Sequence, residues 1–305
     1  MRDQPGFAAG HALALFTILI WGTTFISTKI LLVDFTPVEI LFFRFAIGYI
    51  VLLLIYSRPV RTKSLKEELL FIFAGLCGVT LYFLLENVAL TYTLASNVGV
   101  IVSVAPFFTA VIAHFFLEEE KLTAPFMIGF VIALAGILLI GFNGSFLLKL
   151  NPLGDLLALL APIVWAVYSV LMRKIGALQV HTIGATRKVF FYGLAWMAPA
   201  LFLFDFRLGL DRFGQISNLG NLLFLSLGAS AMCYVTWNRA VSVLGAVKTS
   251  VYIYIVPVIA VAASALILDE KITWAIVAGT ILTLTGSFIS ERKPKPSLKE
   301  RSITS

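Results

Sequence analysis

Ala95–Gly136 reads ASNVGVIVSVAPFFTAVIAHFFLEEEKLTAPFMIGFVIALAG, and Ala246–Gly286 reads AVKTSVYIYIVPVIAVAASALILDEKITWAIVAGTILTLTG. Pro106 matches Pro257, Glu120-Lys121 matches Glu270-Lys271, and Gly129 and Gly136 match Gly279 and Gly286. Each stretch is an apolar helix with a central proline, a short acidic turn, and a second apolar helix carrying two glycines. Duplication of such a unit predicts a membrane fold built from two related halves, with any ligand site where the halves meet.

The composition agrees. Of 305 residues, 60% are hydrophobic and only 13% charged, and mean hydropathy is +0.98. Soluble domains carry about 25% charged residues, so half that value in long uncharged runs indicates a polytopic membrane protein. The net charge of +7 is no nucleic-acid signal, because Lys and Arg collect in a few short loops and at the C-terminus. Cys77 and Cys233 both sit in apolar runs, which supports neither a disulfide framework nor a zinc site. Residues 1–9 are short and polar, and the first apolar run is long enough to remain in the membrane, so no cleaved signal is expected.

A span needs roughly 20 mostly apolar residues, since every backbone group must be satisfied within a helix. Windows of that size give about ten spans: His11–Ile30, Pro37–Tyr56, Leu69–Leu90, Ser96–Leu117, Thr123–Phe142, Leu153–Met172, Thr182–Phe204, Gly220–Val241, Val247–Leu268 and Ile272–Ser290. A cytoplasmic N-terminus places Arg58, Arg61, Lys63, Lys66, Arg173, Lys174 and the basic tail from Arg292 on the inside. Lys149, Arg207, Arg212 and Lys271 remain for the loops outside. Both termini are therefore expected in the cytoplasm, with the protein in the plasma (inner) membrane. An odd number of spans per half makes the second half enter from the opposite side, an inverted-topology repeat. The expected organisation is a first repeat over 1–142, a Gly-, Asn- and Pro-containing loop over 143–152, a second repeat over 153–290 and a basic tail over 291–305. Trp21-Gly22 aligns weakly with Trp165-Ala166, and Arg44 and Arg187 lie at similar depth in their spans.

The stretch LYFLLENVALTYTLASNVGVIVSVAPFFTAVIAHFFLEEEKLT (81–123), the Trp21-Gly22 start and the repeated P…(D/E)EK pattern resemble EamA-type members of the drug/metabolite transporter superfamily. The resemblance covers nearly the whole chain. It implies an all-α polytopic protein of ten helices in two inverted five-helix halves. It also implies a central cavity lined mainly by the first, third, fourth, sixth, eighth and ninth helices, and export of amino acids or related metabolites. The shared motifs belong to the scaffold and do not name the cargo.

Ionisable residues at depth cost several kcal/mol unless paired or hydrated, so each is a functional candidate. Glu86 lies roughly 7 Å deep at 1.5 Å per residue, and Arg44 enters from the same side at comparable depth. They are expected to face each other as a charge pair that closes or shapes the pathway, or else fixes helix packing. Trp237-Asn238 occupies the second-half position of Glu86-Asn87, so the acid is not repeated. Arg187, Lys188, Arg239 and Lys248 show no embedded acidic partner. Lys188 and Arg239 are expected to snorkel. Lys248, at the start of the ninth helix, is the better candidate for drawing in a carboxylate. Midplane depth selects Trp21, Thr24, Ser103, Trp165, Tyr168, Tyr234 and Tyr254 as cavity lining, with Tyr82 and Tyr252 off centre. Pro106 and Pro257 are expected to bend their helices and free carbonyls near Val102 and Ile253. The acidic turns and His114 are read as solvent-facing connections and a structural helix-end residue.

These readings lead to a secondary transporter of a small amphipathic metabolite, moving a small-molecule substrate within the lipid bilayer. No cofactor, metal, nucleic acid or obligate protein partner is expected. A multidrug or amphipathic-compound exporter is the nearest alternative. An integral membrane lipid-modifying enzyme would need a reactive set that His11, His114 and His181, scattered along the chain, do not supply. No phosphate-binding G-x-x-x-x-G-K-[ST] loop is present, which argues against ATP-driven pumping by this chain.

Overall fold

The computed structural model describes residues 5–92, 95–118, 120–142, 151–204, 206–267 and 273–290. Among them are ten helices and no strand. In the first half these are α1 (Pro5–Leu31), α2 (Pro37–Ile55), α3 (Leu65–Tyr92), α4 (Ala95–Val102 and Ala105–Phe116) and α5 (Ala124–Phe142). The second half has α6 (Pro152–Ala177), α7 (Thr182–Leu203), α8 (Ile216–Leu244), α9 (Ala246–Ser250, Val251–Ile255 and Val256–Ile267) and α10 (Trp274–Ser290). Each expected span falls on one of these helices, as an all-α polytopic membrane fold requires. Asp269, Glu270 and Lys271, the loop 143–150 and the tail 291–305 lie outside the described residues.

Local chemistry explains where the helices start. Thr36 and Glu39 form a capping box ahead of Pro37, and the Asn151 side chain accepts from Gly154 N at 3.1 Å ahead of Pro152. Both devices satisfy N–H groups that have no partner inside the helix, and proline at the first position costs no hydrogen bond.

Four helices are irregular, and they correspond between the halves. α3 opens into a π-helical segment at Leu76–Leu81, and its counterpart α8 does so at Phe224–Met232. α4 breaks at Ser103-Val104 and resumes with Pro106 in its first turn. α9 tightens into a 3-10 segment at Val251–Ile255 before resuming with Pro257 in its first turn. Proline cannot donate to the preceding turn, which accounts for the breaks in α4 and α9. Ser103, beside the break in α4, donates its hydroxyl to Gly99 O at 2.6 Å.

The two halves interlock. α1 packs on α8 and α9, α2 on α7 and α8, α3 on α6 and α7, and α4 on α6. α5 and α10 lie against each other along their lengths. Their crossing depends on the repeated glycines. A Cβ at Gly136 would stand 2.5 Å from both Gly279 O and Thr283 Oγ1, and one at Gly129 would stand 2.5 Å from Gly286 O. Small residues of this kind let backbones approach closely in a medium where apolar burial gives helices no mutual attraction.

Charge closes both ends. At one end Glu120 accepts from Ala246 N (2.9 Å) and Val247 N (2.7 Å) at the start of α9, and pairs with Arg173 Nε of α6 at 3.4 Å. The first acidic turn is therefore not the solvent-facing connection expected of it. Its last carboxylate serves as an external cap for another helix and takes the place where Lys248 was expected to attract an anion. Lys248 Nζ instead sits 5.0 Å from the Phe7 ring centroid. Lys188 does not snorkel either. It donates to Glu68 at 2.6 Å, an acid that the expected span boundary had placed in a loop. Arg187 donates to Tyr56 O at the C-cap of α2 and to Arg58 O in the loop that follows, where carbonyls have no partner within the helix. At the opposite end Glu39, 1% exposed, accepts from Thr36 N, Arg207 N and Arg212. Asn218 Nδ2 donates to Asp34 Oδ2 at 2.8 Å, and Lys29 Nζ to Leu90 O at 2.6 Å.

Two stability effects are expected. Gly136→Leu forces α5 from α10 and should cost about 1–3 kcal/mol, whereas Gly220→Ala, with nothing within 4 Å of its Cβ, should leave the thermal midpoint of the detergent-solubilised protein unchanged or raised. Glu120→Ala strips two helix-end donors and Arg173 of their acceptor. It should lower stability by about 1–3 kcal/mol, while exposed Glu118→Ala should have no measurable effect. Equal behaviour of either pair in thermal unfolding would contradict these assignments.

Candidate functional site

A cavity lies at the centre of the bundle, where α1, α2, α3, α4, α6 and α9 converge. Its free volume of about 40 Å³ takes only a few water molecules, so a ligand of several heavy atoms requires the helices to part. The wall is mostly apolar, with Phe25, Phe83, Ile253 and Val256 beside the polar residues. Six residues singled out in the sequence line it: Trp21, Thr24, Arg44, Tyr82, Glu86 and Trp165.

Each polar side chain is held differently. Trp21 Nε1 donates to Ala229 O at 2.9 Å, which fixes the indole plane, and Thr24 Oγ1 donates to Trp21 O at 2.8 Å. Arg44 is 2% exposed; its Nε donates to Ser230 Oγ at 2.5 Å and its guanidinium lies 4.2 Å from the Phe83 ring centroid. Glu86 is 6% exposed, and its Oε2 has no hydrogen-bond partner. The direct ion pair expected between Arg44 and Glu86 is not formed. Both face one cavity, but Ser230 and the aromatic faces of Phe83 and Phe45 position the guanidinium.

The cavity floor is an aromatic cluster contributed by both halves. Trp21 packs on Trp165 (5.2 Å), Trp237 (5.0 Å) and Tyr234 (5.9 Å), and Trp165 packs on Tyr82 and Tyr168 at 4.9 Å each. Tyr168 and Tyr234 thus belong to the layer behind the wall. Tyr234 OH donates to Gly78 O and Tyr168 OH to Asn238 Oδ1. Trp237, noted in the sequence only as the counterpart of Glu86, is part of this layer and fully buried. Its depth, equal to that of Glu86 in the duplicated pattern, was the available signal.

The remaining candidates stand away from the cavity. Ser103 is buried and tied to Gly99 O. Tyr252 OH is 2.6 Å from His11 Nδ1, where either atom can supply the proton. Tyr254 lies in a separate cluster with Ala110, Phe126 and Ala133. Pro106 and Pro257 start the second segments of α4 and α9, next to lining residues Ala105 and Val256.

A second recess, of about 400 Å³, opens at the Glu120 end between α6, α7 and α8, bounded by Met172, Gln179, Thr182, Asn238, Arg239 and Ser242. A buried relay separates it from the cavity. Tyr168 OH donates to Asn238 Oδ1 (2.7 Å), and Asn238 Nδ2 donates to Thr186 Oγ1 (3.0 Å). Among the described residues no group of His, Cys, Asp and Glu is arranged to hold a metal.

The EamA-like transporter family model matches residues 8–142 and again residues 152–291. An uncharacterized transporter of Archaeoglobus fulgidus is 28% identical over 287 residues, covering 93% of this chain and 97% of its own. An uncharacterized transporter of Clostridium kluyveri is 28% identical over 318 residues, with 97% and 98% covered. The Bacillus subtilis uncharacterized transporter YvbV is 25% identical, with 97% and 95% covered. A solved crystal structure shares the fold at TM-score 0.73 and 20% identity, covering 98% of this chain and 99% of the other. The duplicated ten-helix chain therefore belongs to the EamA-like transporter family and is a membrane transporter, not an enzyme.

Proposed function

We propose that the chain exports an amino acid or a related small metabolite by alternating access around the central cavity. One observation carries this: a narrow, mostly apolar cavity with a few polar groups, walled by helices of both repeats and placed between charged contacts at either end of the bundle. Parting one end while the other stays closed would open the cavity to one side at a time. The cavity is too small for cargo as it stands, which fits an intermediate with both ends shut. In this proposal the repeats, 1–142 and 153–290, are inverted about the loop 143–152. The termini, including the tail 291–305, are cytoplasmic, and the membrane is the inner (plasma) membrane. A broader exporter of amphipathic compounds is the second reading, favoured by the apolar wall.

Two experiments test the proposal. Purified protein in proteoliposomes should show counterflow of at least one labelled amino acid from a panel of twenty. Flux of hydrophobic dyes alone would select the broader exporter, and absence of all flux would remove the transport mechanism proposed. With Cys77 and Cys233 replaced, a cysteine at Lys121 should react with an impermeant maleimide only from the cytoplasmic side, and one at Lys271 only from the opposite side. Labelling of both from one side would overturn the inverted arrangement.

A further inference from the structure

Two residues that line the central cavity carry a polar atom without a partner. Glu86 Oε2 and Trp165 Nε1 are both buried and both without a hydrogen bond, and both residues line the cavity. A buried polar group left without a partner costs about 1–3 kcal/mol, more when charged, so such groups are rare and each demands an explanation. The Tyr82 hydroxyl lies beside the Glu86 carboxylate, yet Oε2 stays without a bond. The Thr24 hydroxyl is committed to Trp21 O, and Arg44 Nε to Ser230. One orphan is an acceptor that carries negative charge when ionised, and the other is a neutral donor.

We propose that Glu86 and Trp165 form the polar end of the ligand site. Glu86 accepts an N–H of a ligand ammonium, and Trp165 Nε1 donates to an oxygen acceptor on the same ligand. This rests on the transport function proposed above and assigns its specificity to two side chains. The surroundings suit that ligand. Trp21, Trp165 and Tyr82 line the same cavity as Glu86, and aromatic rings attract cations through their quadrupoles. Arg44 on the same cavity balances the Glu86 charge, so a ligand with no net charge, such as a zwitterion, leaves no uncompensated charge in the membrane interior. Phe25, Ile253 and Val256 leave the rest of the wall to an apolar body. The second half supplies no equivalent of this acid, because Trp237 stands at the corresponding position. The ammonium is therefore placed on the first-repeat side of the site.

The test uses full-length protein in proteoliposomes with L-leucine, L-phenylalanine and the N-acetyl derivative of each, read as ligand-induced thermal stabilisation and as counterflow. Wild-type protein should bind the free amino acids at least about tenfold more tightly than the N-acetyl forms, the scale of a charge-assisted hydrogen bond. Glu86→Gln, nearly isosteric, should erase that preference while leaving the weak N-acetyl binding unchanged. Trp165→Phe, which keeps an aromatic ring and removes only the N–H, should weaken both series by about three- to tenfold. Wild-type discrimination retained in Glu86→Gln, or equal losses for both series in that variant, would overturn the assignment. So would recognition of compounds lacking an amine while the free amino acids are ignored, and in that case transport itself stands. If no compound of a wider panel moves, the transport proposal falls and takes this one with it.

Discussion

A backbone carbonyl released inside a membrane helix has no water to turn to, and this architecture depends on where its released carbonyls go. The π-helical segments of α3 and α8 widen the backbone at equivalent places. Gly78 O in α3 accepts from Tyr234 of α8, and Ala229 O in α8 accepts from Trp21 of α1. Positions 78 and 229 are related by the same spacing that relates Pro106 to Pro257. Each half therefore opens its third helix at the same point, and an aromatic donor of the opposite half satisfies the opening. Absence of a side chain at Gly78 matters too, since a Cβ there would collide with the Tyr168 ring. The same bonds that complete the backbone set the orientation of Trp21, and hence one wall of the cavity.

Charge is used differently at the ends and in the middle. Glu39 accepts one backbone N–H from a distant segment and Glu120 two, each together with one arginine. The hydrogen bond that Arg212 donates to Glu39 raises its guanidinium above the ordinary value, so the arginine stays charged. In both contacts the arginine is the more exposed partner and the carboxylate the more buried one, so the acid depends on these donors and parting either end must supply others. In the middle no water stands by, and Arg44 rests on Ser230 and the Phe83 face instead. The ends are thus held by charge and backbone donors, and the centre by a hydroxyl and aromatic faces.

Much of this was legible in the sequence because depth along a helix is counted in residues. Counting found the ten helices, the proline breaks and the polar cavity residues Trp21, Thr24, Tyr82, Glu86 and Trp165. Counting does not give the direction in which a side chain points around its helix. Tyr168 and Tyr234 have the right depth, but their hydroxyls turn away to Asn238 and Gly78. The π segments carry no compositional mark, since Leu76–Leu81 and Phe224–Met232 read as ordinary apolar helix. The role of Glu120 was hidden for another reason. Its partners, Ala246 N and Val247 N, are backbone groups more than a hundred residues away, and no residue type announces them.

Duplication explains the scaffold, and departures from duplication explain how it can recognise anything. Two halves presenting identical groups to a cavity would offer a ligand the same contacts from both sides and leave its orientation undetermined. Positions 86 and 237 break that equivalence: Glu86 lines the cavity, whereas the Trp237 indole packs on Trp21 in the layer behind the wall. Of these two positions, only the one in the first half presents a hydrogen-bonding group to the cavity. The flanking Asn87 and Asn238 keep their identity yet differ in role. Asn87 donates to Pro37 O across to α2, and Asn238 joins the relay below Tyr168. A ligand carrying a donor at one end and an acceptor at the other would meet a directional site inside a nearly symmetric frame. That direction comes from substituted side chains, so cargo can change between relatives while the glycines, prolines and π segments that hold the frame stay where they are.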